Sequence, residues 1–247
     1  MSISYQPAPA SVLSGLAPEE QLEKIDQAYS SPPWWYNLRG LAILTFTYRS
    51  TLWTQVRHFA GNVADRHLEV AVGTGTFLGL VLGWRRLAGA PRVRVAGLDC
   101  AEAMLAGARR RFRKDPNVEL VKGDAAALDL PADSFASANV PNAMHCFPRV
   151  DAVLAEIFRV LTPGGTLAAN VLLHPRGIQP FRWIAERINA WAMRKGILHT
   201  PYELEDIRAR FRKVGFEIVR ERVVGNTWMV CARKPVQSHS GQGSSRD

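Results

Sequence analysis

The 247-residue sequence predicts an α/β protein with a doubly wound, mostly parallel seven-stranded sheet and an N-terminal helical lid. Two observations carry this prediction. Between residues 67 and 173, short and almost wholly apolar runs alternate with longer amphipathic runs, as expected for buried parallel strands covered by helices on both faces. The final runs, FEIVRERVV and TWMVCARK, flank Gly225 and Asn226 and predict an antiparallel closing pair.

The order of the elements follows from these runs. In chain order the runs are LEVAV, FLGLVLGWRRL, VRVAGL, AMLAGARRRF, VELVK, FASANV, VDAVLAEIFRVL and TLAANVLL. The proline and glycines of RVLTPGG predict a turn that stops a helix before the last of these strands. Further helices are predicted over about 180–195 and over 201–214, the second with Thr200 as its cap, Pro201 at its first position and Gly215 at its end.

The segments on either side of this region are predicted to differ in character. Residues 1–17 and 236–247 are rich in small or polar residues, so we expect a flexible N-terminus and a disordered tail. Residues 18–66 contain helical patterns that the prolines of SSPPWW interrupt, and we interpret them as the helical lid extension. Residues 67–235 are then the main domain.

Charge and cysteine content narrow the class of protein. The formal net charge of +9 admits a nucleic acid, an anionic membrane surface or an acidic substrate as partner, but acidic residues are interleaved in several of the basic stretches, which favours a solvated surface. The three cysteines form no CxxC pair, which favours a reduced, cytoplasmic protein without a metal site. The sequence shows no run of about 18 apolar residues and no secretory signal at its start.

The most informative segment is HLEVAVGTGTF. The first strand ends in Gly73-Thr74-Gly75-Thr76 and runs straight into a helix, which lets main-chain N–H groups approach a ligand. A tight turn without a ligand is the alternative. A dinucleotide fingerprint would need glycine at position 78, where the chain has Leu78, so a nicotinamide cofactor is disfavoured.

The second strand ends in a carboxylate. Asp99 lies 24 residues beyond Gly75. An acidic side chain there can accept hydrogen bonds from both hydroxyls of a ribose, as in sites for adenosine cofactors. Asp99 also suits the cap of the following helix, and the two roles can coexist.

Together these motifs resemble the class I S-adenosylmethionine-dependent methyltransferases, including the quinone-biosynthesis C-methyltransferases, over about residues 67–173. The family's acidic-x-Gly-x-Gly-x-Gly motif corresponds here to Glu69, Ala71, Gly73 and Gly75, with alanine in place of the first glycine. The segment DCAEAML from Asp99 is similar to the family's ribose motif, and KGDA, which contains Asp124, to the segment that meets the adenine. EIFRVLTPGGTL resembles the entry into the fifth strand, whereas Ala136 departs from the usual acid after Ser-Phe.

The resemblance implies a Rossmann-like fold and a transferase that uses S-adenosyl-L-methionine to methylate a small molecule, without a metal. It implies that Asp124 accepts from the exocyclic amine of the adenine and that the Ala125 N–H donates to the ring. An extra methyl group at Ala71 is expected to crowd the methionine part of the donor slightly. The implied cofactor-binding residues are Glu69, Ala71, Gly73, Thr74, Gly75, Asp99, Cys100, Met104, Asp124, Ala125 and Val140.

Methyl transfer from a sulfonium is an in-line displacement, so holding donor and acceptor collinear in a site that excludes water supplies most of the catalysis. A dedicated nucleophile is unnecessary. An oxygen or acidic carbon acceptor must still lose a proton, and His145, just past the fourth strand, is the candidate general base. A histidine that contacts substrate or is satisfied structurally is an equal alternative.

The candidate acceptor site is predicted from aromatic and polar residues near the lid. The apolar stretch after SSPPWW, together with Phe181, Trp183 and Trp191, predicts a lid over a lipophilic or aromatic acceptor that is methylated on oxygen, carbon or nitrogen. Ordinary core packing is the alternative, and peripheral contact with a membrane is a further expectation. The candidate substrate contacts are Trp35, Tyr36, Asn142, His145 and His174.

Two other functions stay open. The positive charge admits an RNA or other nucleic-acid methyltransferase, although NVPN at 139–142 is not the motif that flanks a target amine and no RNA-binding module is visible. A non-catalytic module that binds the cofactor is the third possibility, because doubly wound sheets carry many activities. The sequence carries no signal for the oligomeric state.

Overall fold

The computed structural model describes residues 13, 15–28, 50–176, 181–196 and 198–236. Much of the predicted lid segment, including Tyr29, Trp35 and Tyr36, lies outside the described residues. In chain order the elements are α1 (Pro18–Ala28), α2 (Leu52–Ala60), β1 (His67–Val70), α3 (Thr76–Leu87), β2 (Val95–Asp99), α4 (Glu102–Phe112), β3 (Val118–Lys122), β4 (Phe135–Val140), a single 3₁₀ turn (Met144–Cys146), α5 (Val150–Val160), β5 (Leu161–Leu172), α6 (Phe181–Arg194), α7 (Leu204–Val214), β6 (Glu217–Val224) and β7 (Thr227–Arg233).

The seven strands form one sheet in the order β3-β2-β1-β4-β5-β7-β6. The pairs from β3 to β5 are parallel, whereas β7 runs antiparallel to both β5 and β6. This arrangement confirms the predicted mostly parallel, seven-stranded sheet and the closing hairpin. The strand order reverses between β1 and β4, and such a switch point opens a crevice at the carboxyl ends of the strands, where ligands bind in open α/β sheets.

Apolar layers cover both faces of the sheet. On one face, Leu154 and Ile157 of α5 and Phe211 of α7 pack with Trp228 and other sheet residues. On the other face, Phe59 of α2 joins the apolar residues of α3 and α4. Both faces of β1 and β4 are thereby buried, and the doubly wound architecture is confirmed.

The predicted start of the helix over 201–214 is wrong. Helix α7 begins at Leu204 with Glu203 at its N-cap, rather than at Pro201 with Thr200 as its cap. The reason is a backbone pairing that sequence patterns do not reveal: Tyr202 bridges Leu173, and its N–H donates to the Leu172 carbonyl at 3.0 Å. The end of α7 at Gly215, with a φ of 110°, is as predicted.

The RVLTPGG segment also differs from its prediction. Helix α5 ends at Val160 and β5 starts at the next residue, so the segment does not separate a helix from a strand. The pairing with β4 instead shifts from Phe135 opposite Leu161 to Ser137 opposite Thr166. Residues 162–165 therefore form a bulge inside β5, where a left-handed residue such as Gly164, with a φ of 82°, is required.

Many of the basic side chains on the surface are paired with acids. Examples are Arg94 with Asp65 at 2.7 Å, Arg182 with Glu186 at 2.8 Å and Arg233 with Glu217 at 2.9 Å. Exposed pairs of this kind contribute at most about 1 kcal/mol each, but they lower the local excess of positive charge. None of the described helices is long and apolar enough to cross a membrane.

Candidate active site

A cavity of about 350 Å³ lies at the carboxyl ends of β1 to β4, beside the switch point. This volume falls within the range of sites for small molecules and cofactors. Its walls come from the segments that follow β1, β2, β3 and β4, and from α1, α2 and α6. Of the predicted cofactor-binding residues, those that line the cavity are Glu69, Ala71, Gly73, Thr74, Asp99, Cys100, Met104, Asp124 and Ala125.

Two predicted cofactor residues, Gly75 and Val140, do not line the cavity. Gly75 precedes α3 with a φ of 71°, and a Cβ atom there would lie 2.5 Å from the ring of Phe112. The turn and the packing against Phe112 therefore both require glycine at this position. Val140 is fully buried at the end of β4 and belongs to the core.

Ala71 has a left-handed backbone with a φ of 57°. This is the position where the family motif has its first glycine. A residue with a Cβ atom costs roughly 1–2 kcal/mol in this conformation. The alanine therefore strains the backbone in addition to narrowing the space expected for the donor. The loop nevertheless keeps the turn that glycine would adopt.

Asp99 joins the end of β2 to the glycine loop. One carboxylate oxygen, Oδ2, accepts from the Gly73 N–H at 2.8 Å, and Oδ1 accepts from the Ala101 N–H at 3.0 Å. Burial raises the pKa of Asp99, and these backbone donors offset part of that rise. Each oxygen has a second lone pair, so the carboxylate can also accept from ribose hydroxyls. The N-cap position of α4 is Ala101, so Asp99 does not cap that helix by itself.

Asp124 already has a cationic partner. Its Oδ2 is paired with the Arg149 guanidinium, and its Oδ1 accepts from the Ala126 N–H at 2.9 Å. An adenine amine would therefore share this carboxylate with Arg149. Sequence reasoning missed Arg149, which belongs to no recognised motif and reaches the cavity from the segment after β4.

Glu69 is held by a buried polar chain. Its Oε2 lies 3.1 Å from His67 Nε2, and His67 Nδ1 lies 2.8 Å from the Ser137 hydroxyl. Glu69 is 1% exposed, and it contributes to the cavity wall. The chain of contacts across β1 and β4 therefore fixes the orientation of the carboxylate before any ligand is present.

His145 lines the cavity but is poorly suited to be a base. Burial lowers its pKa to about 3. Its Nδ1 lies 3.4 Å from the Leu172 N–H and accepts from it, which assigns the ring proton to Nε2. A buried, neutral histidine whose Nδ1 already accepts a hydrogen bond suits a structural role or contact with substrate better than the predicted general-base role.

The other predicted substrate residues differ in their surroundings. Asn142 lines the cavity, but its Oδ1 accepts from Asn170 Nδ2 at 2.6 Å and its N–H donates to Asn170 Oδ1 at 2.5 Å. Its φ of 56° suits asparagine, and the reciprocal bonds make it a tie between the β4 loop and β5. His174 does not line the cavity, because the chain there pairs with Tyr202.

The residues that line the apolar part of the cavity differ from the aromatic residues singled out in the sequence. Trp183 and Trp191 of α6 are 52% and 39% exposed and are not among the described residues that line it. The opposite side of α6 faces the cavity instead. The lining residues from the three helices are Gln21, Leu22, Ile25, Leu52, Ile188, Asn189 and Ala192.

Sequence reasoning also missed Gln21 and Asn189. A signal for Asn189 was present, because it interrupts the otherwise apolar buried stripe of α6 formed by Ala185, Ala192 and Met193 at helical spacing. Within the described ranges, no cluster of three or more His, Cys, Asp or Glu side chains could hold a metal ion.

Comparison with known proteins agrees with this geometry. Residues 68–165 match the family described as "Methyltransferase domain". The ubiquinone/menaquinone biosynthesis C-methyltransferase of Methylobacterium nodulans is 41% identical over 103 residues, which cover 40% of this chain and 39% of that protein. The malonyl-(acyl-carrier protein) O-methyltransferase of Methylococcus capsulatus is 35% identical over 183 residues, which cover 73% of this chain and 62% of that protein.

Among solved structures, a SAM-dependent methyltransferase of Thermotoga maritima, described as a possible histamine N-methyltransferase, superposes with a TM-score of 0.61. It is 18% identical, and the match covers 87% of this chain and 99% of that one, which shows the shared fold. The matched parts span 39% to 62% of the length of the two curated relatives above. The predicted resemblance to methyltransferases is thereby confirmed over residues 68–165, which match the methyltransferase-domain family, and the superposition shows that the fold is shared.

Proposed function

We propose that this chain transfers a methyl group from S-adenosylmethionine to a small, neutral, lipophilic acceptor. The observation that carries the proposal is the distribution of charge among the residues that line the cavity. We call the wall formed by the strands and the segments that follow them the polar end, and the wall formed by α1, α2 and α6 the acceptor end. The charged lining residues, Glu69, Asp99, Asp124 and Arg149, all belong to strands β1 and β2 or to the segments after β2, β3 and β4. The described lining residues of α1, α2 and α6 include no charged side chain. A charged acceptor buried against those helices would have no ionic partner there.

The residues at the polar end fit the donor. Asp99 is placed to hold the ribose while it stabilises the glycine loop, and Glu69 and Asp124 offer further carboxylates. When bound, S-adenosylmethionine supplies a methyl group on a positively charged sulfur. The chain's own contribution is to align the acceptor atom with that methyl group and to keep water out, since the displacement needs no protein nucleophile.

The acceptor we propose is a phenol or quinol that is methylated on oxygen or carbon. Two considerations support it. One curated relative is named as a C-methyltransferase of ubiquinone and menaquinone biosynthesis, and the apolar helices around the acceptor end suit a fused or substituted ring. In such a reaction the acceptor atom forms its bond to the methyl carbon as the carbon–sulfur bond breaks, and the acceptor's proton leaves to solvent.

The proposal is tested with purified full-length chain and methyl-labelled S-adenosylmethionine. We expect label in neutral naphthols and hydroquinones, and little or none in benzoates, histamine or transfer RNA, because only the neutral rings fit an uncharged acceptor end. Product is identified by mass spectrometry. Label found only in RNA would establish the nucleic-acid alternative, and donor binding without any product, even with a native extract, would establish a non-catalytic module.

Peripheral contact with a membrane is part of the proposal, and α6 is the surface that we assign to it. Its outer side exposes Trp183, Trp191 and Arg194, and the Arg187 guanidinium lies 4.9 Å from the Trp183 ring centroid. Aromatic and basic side chains on one helix face suit the interface of an anionic bilayer. The opposite side of the same helix lines the cavity, so an acceptor dissolved in lipid would have a short path to it.

We expect the double variant Trp183→Ala, Trp191→Ala to lower partition onto phosphatidylglycerol vesicles about tenfold, because each ring would lose its burial in the interface. Sedimentation with vesicles measures this. Leu87→Ala removes an exposed apolar side chain from α3, outside α6, and is the matched control. Equal sedimentation of both variants, or equal binding to uncharged phosphatidylcholine vesicles, would exclude α6 as the contact. The proposed location remains the cytoplasm, where Cys100, Cys146 and Cys231, which form no disulfide, stay reduced.

A further inference from the structure

Two buried amide groups in the cavity wall lack partners. Gln21 Oε1 on α1 and Asn189 Nδ2 on α6 make no hydrogen bond to any described residue. Gln21 is 8% exposed and Asn189 is 5% exposed, and both line the acceptor end of the cavity. Buried polar atoms are almost always hydrogen-bonded in folded proteins, so two such atoms in one cavity wall indicate a ligand that satisfies them.

The orientation of the Gln21 amide is determined by its neighbours. Its Nε2 donates to the Leu13 carbonyl at 3.2 Å and to the Leu16 carbonyl at 3.1 Å. If the amide were turned over, its oxygen would face two carbonyl oxygens, which repel it. The nitrogen end is therefore occupied, and Gln21 offers an acceptor oxygen.

Asn189 has the opposite character, since the unpartnered atom is its amide nitrogen, a donor. It stands in a stripe of apolar residues, where a leucine or an alanine would pack without leaving a polar atom unsatisfied. His145, whose Nδ1 accepts from the Leu172 N–H, lines the same cavity. The described wall thus contains both kinds of hydrogen-bonding group and no charge at this end.

We propose that Asn189 and Gln21 form a recognition subsite for oxygen atoms of the acceptor. Asn189 donates to a hydroxyl or carbonyl oxygen, and Gln21 accepts from a hydroxyl hydrogen. The class of ligand is therefore a neutral ring that carries two oxygen substituents, one of them a hydroxyl. This inference rests on the proposed function only in naming the ligand as the methyl acceptor, because the unpartnered atoms define the subsite for any bound molecule.

The test compares naphthalene, 1-naphthol and 1,5-dihydroxynaphthalene in equilibrium dialysis against the full chain with S-adenosylhomocysteine. We expect the wild-type chain to bind the dihydroxy probe about 10- to 100-fold more tightly than naphthalene, because it satisfies buried groups that the hydrocarbon leaves unpaired. In Asn189→Leu, which conserves size, most of this preference is lost while naphthalene binds at least as tightly as before. Gln21→Met should reduce the preference in the same direction.

Thermal melting and the affinity for S-adenosylhomocysteine are measured in every variant, so that a folding defect is separated from loss of the subsite. Equal binding of the three probes by the wild-type chain, or an undiminished preference in Asn189→Leu, would overturn the subsite. Either result leaves methyl transfer to phenols untouched, so failure of the subsite is distinguishable from failure of the proposed function. A chain that prefers the dihydroxy probe but transfers no methyl would retain the subsite and lose the proposed function.

Discussion

Replacing Asp99 with alanine is expected to weaken the binding of S-adenosylhomocysteine at least 100-fold. The variant removes the proposed acceptor for two ribose hydroxyls, and a hydrogen bond to a charged group contributes about 1.5–3 kcal/mol, so the expected loss is about 3 kcal/mol or more. It also frees the Gly73 N–H, which the carboxylate holds at 2.8 Å, and so loosens the loop that meets the donor. Isothermal titration calorimetry measures the affinity directly.

Asp129→Ala is the matched control for this prediction. Asp129 is an exposed aspartate outside the cavity, so its removal changes the net charge by the same amount without touching the site. Asp99→Asn keeps one acceptor oxygen and is expected to fall between the wild-type and alanine values. Binding by Asp99→Ala within threefold of the wild-type chain would contradict the assignment of Asp99 to the ribose.

The second large effect is loss of stability in mild acid. His58 on α2 and His145 in the cavity wall are both buried. Burial, with help from the positive charge of Arg220, lowers the pKa of His58 to about 4, and burial lowers the pKa of His145 to about 3. Because both pKa values are depressed below the unfolded value of about 6.5, the unfolded chain binds more protons as the pH falls from 6.5.

Stability is therefore fully present above pH 6.5 and is lost progressively as the pH falls toward 4. At pH 4.5 each histidine lowers the free energy of unfolding by about 2–3 kcal/mol. Together they lower it by about 5 kcal/mol, which is the whole stability of many domains. Urea unfolding followed by circular dichroism between pH 7 and 4.5 measures this loss. In the variant His58→Phe, position 58 cannot be protonated, so its free energy of unfolding should fall by about half as much. A free energy of unfolding that stays constant down to pH 4.5, or the same loss in both chains, would contradict the prediction.

Most of the fold could be predicted because its signals are local. Strands buried on both faces are almost wholly apolar, and helices between them are amphipathic, so the order of β1 to β5 is visible in the sequence. The glycine loop and Asp99 are local signals too, since a turn and the end of a strand carry them. The Tyr202–Leu173 bridge joins residues 29 positions apart and has no local signature, which is why the start of α7 was misplaced.

Contacts between distant segments at both ends of the site were hidden from sequence reasoning for the same reason. The Asp124–Arg149 pair and the meeting of Gln21 with Asn189 in one cavity depend on contacts between distant segments. Helix amphipathicity did predict α6, but the bulk of Trp183 and Trp191 suggested a buried face that is in fact exposed. Aromatic size alone does not tell which side of a helix faces the cavity.

The left-handed backbone of Ala71 has a consequence for the energetics of donor binding. A residue with a Cβ atom keeps a φ of 57° only where its surroundings impose it, and here the Val72 N–H bonds to the Leu98 carbonyl at 2.9 Å while Asp99 holds Gly73. The loop is thus preorganised, and a ligand that docks on it forfeits little conformational entropy in ordering it. The cost of the strained backbone is contained in the free energy of folding, so a ligand meets a loop that already has its bound shape.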